Sequence, residues 1–243
     1  MKRIILSLAL ACLTLQQAQS RPINVTANQE NEIKQERAVA DFTGIASGGN
    51  FNVYVSIGEK ESLRLEGKEE LLNDIETKIE KGVLKIQYKA KKRMWDWNRS
   101  DRDLVNIYIT AKVLSNLVLS GSGKMVVNGT LKAPNFISVV SGSGNLTLNT
   151  ETINFNGVIS GSGSINLSGS SQTTDLSISG SGSLRAKDFK TKSANVSISG
   201  SGNSEMQVEQ SLNGSISGSG SIRYGGNPSI VIQKSGSGSI SKL

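Results

Sequence analysis

The heptapeptide SISGSGS at Ser177–Ser183 decides the reading of the chain, because close variants of it recur through the second half of the 243 residues. The shared SGSG starts at Ser120, Ser141, Ser160, Ser179, Ser199, Ser217 and Ser235, at intervals of 18 to 21 residues. A flexible glycine-serine linker has no reason to keep a period. Self-similarity near twenty residues instead marks a solenoid, in which each repeat is one coil that buries its apolar face only by stacking on its neighbours. The flanking residues say which way the chain points. Directly before the first serine stand Leu119, Val140, Ile159, Ile178, Ile198 and Ile216; five residues after it stand Met125, Leu146, Ile165, Leu184, Ser204, Ile222 and Ile240. Counting by twos from Ile178 gives Gly180, Gly182 and Leu184, a strand parity that places apolar residues and glycines on one side. The corner glycines are therefore expected to face inward: Gly121 and Gly123, Gly142 and Gly144, Gly161 and Gly163, Gly180 and Gly182, Gly200 and Gly202, Gly218 and Gly220, Gly236 and Gly238. Glycine serves there because the coil is too narrow for a side chain or because the backbone turns with positive φ. The serines are expected outward, stacked as a hydroxyl ladder.

Two repeats depart from the rule. Lys234 takes the place of Leu, Val or Ile in the last motif, as suits a terminal coil whose charge blocks edge-to-edge association. Ser204 stands where an apolar residue is expected, and the following EMQVE predicts a one- or two-residue shift that carries Met206 and Val208 into the core. No helical period lies between motifs, so the expected fold class is all-β. It is a right-handed parallel β-helix of about 18–21 residues per coil, with rungs ~4.8 Å apart. A β-sandwich pairs its strands at hairpin distances and would not return one corner at one interval. In the first half, FTGIASGGNFNVYVSIGE alternates apolar and other residues around a degenerate corner at Ser47–Gly49. SLRLEG, a short helix over KEELLNDIE, and strands at GVLKIQYK and LVNIYITA follow, an irregular start to the same solenoid.

The first twenty residues combine Lys2 and Arg3, an apolar run from Ile4 to Leu15, and the small residues Ala18 and Ser20, the pattern of a secretory signal peptide. Twelve apolar positions are short of the ~20 a spanning helix needs. Lipidation at Cys12 is disfavoured by Ala9, where that signal prefers leucine, and by the apolar run continuing through Leu13 and Leu15. The expected organisation is a leader over 1–20, a flexible lead over 21–36 and one domain over 37–243. Residues 37–119 form its irregular part and 120–243 the SGSG coils. Cys12 is the only cysteine, and there is no histidine. A chain processed after Ser20 thus lacks the residues for serine-histidine or cysteine-histidine catalysis and for ordinary zinc sites; no metal and no cofactor are expected. Residues 120–243 hold nine basic and five acidic side chains, too little charge for a nucleic-acid face.

The combination of RAVADFTGIASGGNFNVYVSIGEKESLRLEGKEELLNDIETKIEKGVLKIQY (Arg37–Tyr88), LSNLVLSGSGKM (Leu114–Met125) and the serial SGSG corners resembles a family of exported bacterial proteins, the auto-transporter adhesins with a head GIN domain. The resemblance spans Arg37 to Ile240. It implies a right-handed β-helix and an exported protein of the cell envelope, and it assigns no catalytic residue.

No nucleophile elbow, phosphate loop or calcium loop is present. Glu151, Asp175, Asp188, Glu205 and Glu209 are scattered in repeat phase, and only Glu205 and Glu209 lie close together in sequence. One segment stands out, KAKKRMWDWNRSDRD at Lys89–Asp103. Its Trp95 and Trp97 offer stacking faces beside Lys91, Lys92, Arg93 and Arg99, the expected binding residues. The expected function is a non-catalytic envelope-binding or structural module, with a glycan, an envelope polymer or a protein as partner. The alternatives are a polysaccharide-acting β-helix enzyme, which needs clustered carboxylates in a groove, and a subunit that assembles end to end.

Overall fold

A computed structural model describes residues 32–89 and 104–243. The leader and the first part of the lead lie outside these. The first half contributes β1 (Glu32–Arg37), β2 (Gly44–Gly48), β3 (Asn52–Ile57), β4 (Ser62–Lys68), α1 (Glu69–Asn73), β5 (Ile75–Glu80), β6 (Val83–Tyr88), β7 (Asn106–Ala111) and β8 (Asn116–Gly121). On one flank β3 and β7 run parallel, and β4 and then β1 are added antiparallel. On another, β6, β2 and β8 run parallel and β5 closes the edge antiparallel.

Two expectations change here. Residues 32–36 of the lead are not loose; they belong to β1, fastened by Arg37. Its guanidinium donates to the carbonyls of Leu72 (2.8 Å) and Ile75 (2.9 Å) and to Thr77 Oγ1 (3.1 Å), and burial pushes its pKa below the ordinary value. The helix is confined to Glu69–Asn73, because Ile75–Glu80 follows period two and turns through Lys81 and Gly82, both at positive φ, into β6. The degenerate corner at Ser47–Gly49 is the first of the stack: Gly49 N donates to the Ser120 carbonyl (2.8 Å) and Gly123 N to that of Gly49 (3.1 Å).

From there each coil is one long bent strand: β9 (Lys124–Gly142), β10 (Asn145–Gly161), β11 (Ser164–Gly180), β12 (Ser183–Gly200) and β13 (Asn203–Gly218). All pair in parallel with like residues in register, Val140 beside Ile159 beside Ile178 beside Ile198 beside Ile216. The fold is thus the parallel β-solenoid that the repeat predicts, with about seven turns. The last rung is divided: β14 (Ser221–Gly225) and β16 (Ser239–Lys242) stack over the start of β13, and β15 (Ser229–Ser235) over its end. Lys234 lies exposed on that rung beside Ile216.

The strand parity survives the corner. Ser179 and Ser181 are exposed, while Ile178, Gly182 and Leu184 are buried. The two glycines of a corner answer to different constraints. Gly180 has φ 106° and would place a Cβ 2.7 Å from the Gly161 carbonyl oxygen. A Cβ on Gly182 would stand 2.4 Å from Ile159 Cγ2, because the isoleucine of the preceding coil fills that space. The expected hydroxyl ladder does not form among the described corner residues. The backbone joins corners instead, as where Ser181 N donates to the Gly161 carbonyl (2.9 Å).

Inside, isoleucine, leucine and valine rows run the length of the stack, each fully buried side chain worth ~2 kcal/mol. Phe136 and Phe155 stack at 6.4 Å, and Phe189 meets Phe155 at 5.6 Å across the small residues of β11. Ser204 itself stays in the inward row between Leu184 and Ile222, fully buried and with no hydrogen-bond partner; the register shifts just beyond it, where Ala186 pairs with Met206 but Lys190 with Gln207, and Met206 and Val208 are buried as expected. A second polar group in the core is satisfied. Ser171 Oγ and Thr174 Oγ1 both bond to Thr191 Oγ1 (2.9 and 3.1 Å), which donates to the Ser193 carbonyl (3.1 Å).

Candidate functional site

The third flank of each coil, Asn154–Gly161 in β10 and its equivalents, turns three rows of small side chains outward. The first row runs Asn156, Asp175, Asn195, Asn213, Val231; the second Val158, Ser177, Ser197, Ser215, Gln233; the third holds the corner serines. Parallel stacking forces each row into register, so the groups repeat at the inter-strand spacing of ~4.8 Å. The first row is stitched along the stack. Asn213 Nδ2 donates to Asn195 Oδ1 (3.0 Å), and Asn195 Nδ2 to Asp175 Oδ1 (2.8 Å). Between the first two rows lies a groove of about 550 Å³ crossing five rungs, from Asn156 and Val158 to Val231 and Gln233. Asp175 is its only charged lining residue, and the amide of Asn195 occupies one of its oxygens.

Two further recesses carry the charges. One, of about 710 Å³, is lined by Lys132, Glu151, Lys190, Lys192 and Glu209, with Lys132 and Glu151 paired at 3.1 Å. The other, of about 690 Å³, is lined by Asn128, Asn149, Arg185, Lys187, Asp188 and Glu205. Glu205 binds Arg223 at 2.7 Å and Lys187 at 3.6 Å. Glu205 and Glu209, neighbours in sequence, therefore line different recesses and make no catalytic carboxylate pair. Among the described residues no three Asp, Glu, His or Cys side chains gather as a metal site.

Near the start of the stack, Tyr54 and Tyr108 lie face to face at 5.2 Å, and Arg64 sits 4.7 Å from the Tyr108 centroid. Arg64 and Lys34 both reach Glu66 (3.1 and 3.4 Å). Burial, with Glu66 beside it, pushes the Tyr108 hydroxyl above its ordinary pKa. Arg64, Tyr108 and Tyr54 come from successive neighbouring strands, so Tyr108 is covered on both faces. This row braces the sheet and offers no open platform for a sugar ring.

The binding residues expected from sequence, Trp95, Trp97, Lys91, Lys92, Arg93 and Arg99, lie outside the described residues. The fourteen corner glycines are placed, and they form the spine beside the groove rather than its lining. The groove itself was missed. Its signal is in the sequence, in the Asn-x-Ser of Asn195–Ser197 and Asn213–Ser215, each ending two residues ahead of a corner serine.

Comparison with known proteins agrees with this architecture. The family model described as "Putative auto-transporter adhesin, head GIN domain" matches residues 41–228, and the chain belongs to that family. No curated protein matches. Among solved structures, a putative lipid binding protein of Parabacteroides distasonis is 26% identical, with 88% of this chain and 98% of that one covered and a TM-score of 0.71. A putative adhesin of Bacteroides fragilis (22% identical, 88% and 98% covered, TM-score 0.75) and one of Parabacteroides merdae (19%, 88% and 97%, 0.69) share the fold. Among the described residues, no helix is long and apolar enough to cross a membrane.

Proposed function

We propose that this protein is an exported, non-catalytic binding module of the cell envelope, and that the groove on its third flank receives an extended, uncharged polymer, an envelope glycan. The observation that carries the reading is the groove's chemistry. The hydroxyls of Ser177, Ser197 and Ser215 and the side-chain amides of Asn195 and Asn213 repeat at one spacing over the three middle rungs, with Asp175 the one carboxylate in the lining, so a repeating ligand meets similar partners on those rungs. General acid-base hydrolysis needs two carboxylates across a bond, and this groove has one. The adhesin description of the family and the lipid-binding name of the 26% identical relative both suit a binding role.

The test is a screen of residues 21–243 against envelope glycans, with lipid vesicles as a second panel. Three proteins are compared: the parent, Ser197→Arg at the groove centre, and the Trp95→Ala/Trp97→Ala double variant. A glycan held by the parent and released at least tenfold more readily by Ser197→Arg supports the groove. Equal binding by Ser197→Arg overturns it; loss in the tryptophan variant alone moves the site to the 89–103 segment. Capture by vesicles alone replaces the glycan with a lipid.

A further inference from the structure

The two ends of the stack differ in kind. At the first end the core is covered: Leu71 and Leu72 of α1 are buried, and antiparallel pairs, β1 on β4 and β5 on β6, close the edges. Those edges carry Glu32, Lys34 and Glu36, and Glu76, Lys78 and Glu80. Among the described residues, at the last rung β15 is bonded only to β13 and β16 only to β14, which leaves each with one side unpaired by them. One inward row also ends uncovered. Leu212 is fully buried, but Ile230, next in its row, is 40% exposed, while on the outward side of the same strand Val231 is 62% exposed.

From this asymmetry we infer that the last rung is a self-pairing surface through which two copies of the chain join tail to tail. A head-to-tail contact would set Ile230, Ile232 and Ile240 against a charged edge, which desolvates ions without partners. The tail complements itself. A two-fold axis across the stack lays β15 antiparallel to its mate, apolar against apolar, and the contact closes at two copies instead of growing into a filament. Lys234 and Lys242 limit its strength, because the axis brings like charges together at the rim. Seven residues of β15 and four of β16 supply the surface, roughly 800 Å² in total, at the low end for specific association. The pairing is therefore weak, and salt strengthens it by screening the lysines.

Sedimentation equilibrium of residues 21–243, from about 10 μM to 1 mM protein at low and high salt, tests this. Expected are a monomer–dimer equilibrium with Kd falling severalfold as salt rises to ~0.5 M, at least tenfold tighter pairing in Lys234→Ile, and no dimer in Ile230→Asp. If Ile230→Asp fails to fold, Val231→Lys on the same strand replaces it, with the same expected loss. A parent and a Lys234→Ile variant that both stay monomeric at 1 mM overturn the inference. So does growth beyond the dimer, or a dimer indifferent to both strand substitutions.

Discussion

Gly180→Ala tests the account of the corner most directly. The new methyl group meets two obstacles: a backbone at φ 106°, which L-residues rarely adopt, and the Gly161 carbonyl oxygen 2.7 Å away. The strained dihedral costs about 1–3 kcal/mol and the forced contact about 1–3 kcal/mol. Reduced freedom of the unfolded chain returns roughly 0.5–1 kcal/mol. The net loss is about 1–5 kcal/mol, which at a urea slope of ~3 kcal/mol/M moves the unfolding midpoint down by about 0.3–1.7 M. The control is Ser181→Ala, one residue on and exposed, which should stay within ~0.5 kcal/mol of the parent. Gly182→Ala separates the two obstacles, because Gly182 lacks the positive φ and its Cβ would collide with Ile159 Cγ2 at 2.4 Å and the Gly163 carbonyl oxygen at 2.8 Å. Replacing Ile159 by Leu removes that branch, so a double-mutant cycle should recover part of the Gly182→Ala loss and none of the Gly180→Ala loss. Circular dichroism under urea reads all of these. If Gly180→Ala matches Ser181→Ala, the claim that backbone geometry selects glycine at this corner is wrong.

Buried hydroxyls should respond with opposite signs according to their partners. Ser204→Ala removes an orphaned oxygen and should leave the melting temperature unchanged or raise it, by up to about 1 kcal/mol equivalent. Thr191→Val strips the acceptor from Ser171 and Thr174 and should cost about 1–3 kcal/mol in the same melt. Glu80 is held at a pKa of about 2 by hydrogen bonds from Lys78 and Lys85. Because that value is depressed, its contribution is present above the ordinary carboxylate range and is lost as pH falls toward 2. Titration followed by carboxyl NMR should show this, and a Lys78→Ala/Lys85→Ala variant should return Glu80 toward the ordinary value.

The period of SGSG and the parity of Ile178 and Leu184 made the solenoid legible, because a stacked coil repeats in space whatever repeats in sequence. The same logic explains what was not legible. Ser204 predicted a slip because a lone polar residue in an apolar row is costly; backbone pairing on both neighbouring coils holds Leu184, Ser204 and Ile222 in one register, and the shift comes only beyond Met206. Slipping would break a ladder to rescue one hydroxyl, worth about 1–3 kcal/mol. Arg37 was invisible for another reason: its partners Leu72, Ile75 and Thr77 are 35 to 40 residues away and outside any repeat. The groove falls between these cases. Asn195 and Ser197 were visible as residues, but a groove is a property of five rungs in register, and one coil read alone shows only polar residues facing water. In a solenoid, then, outward positions deserve the row-by-row reading given to the core. A row of like groups at one spacing costs little to keep as solvated surface, and it presents to a polymer what no single coil can.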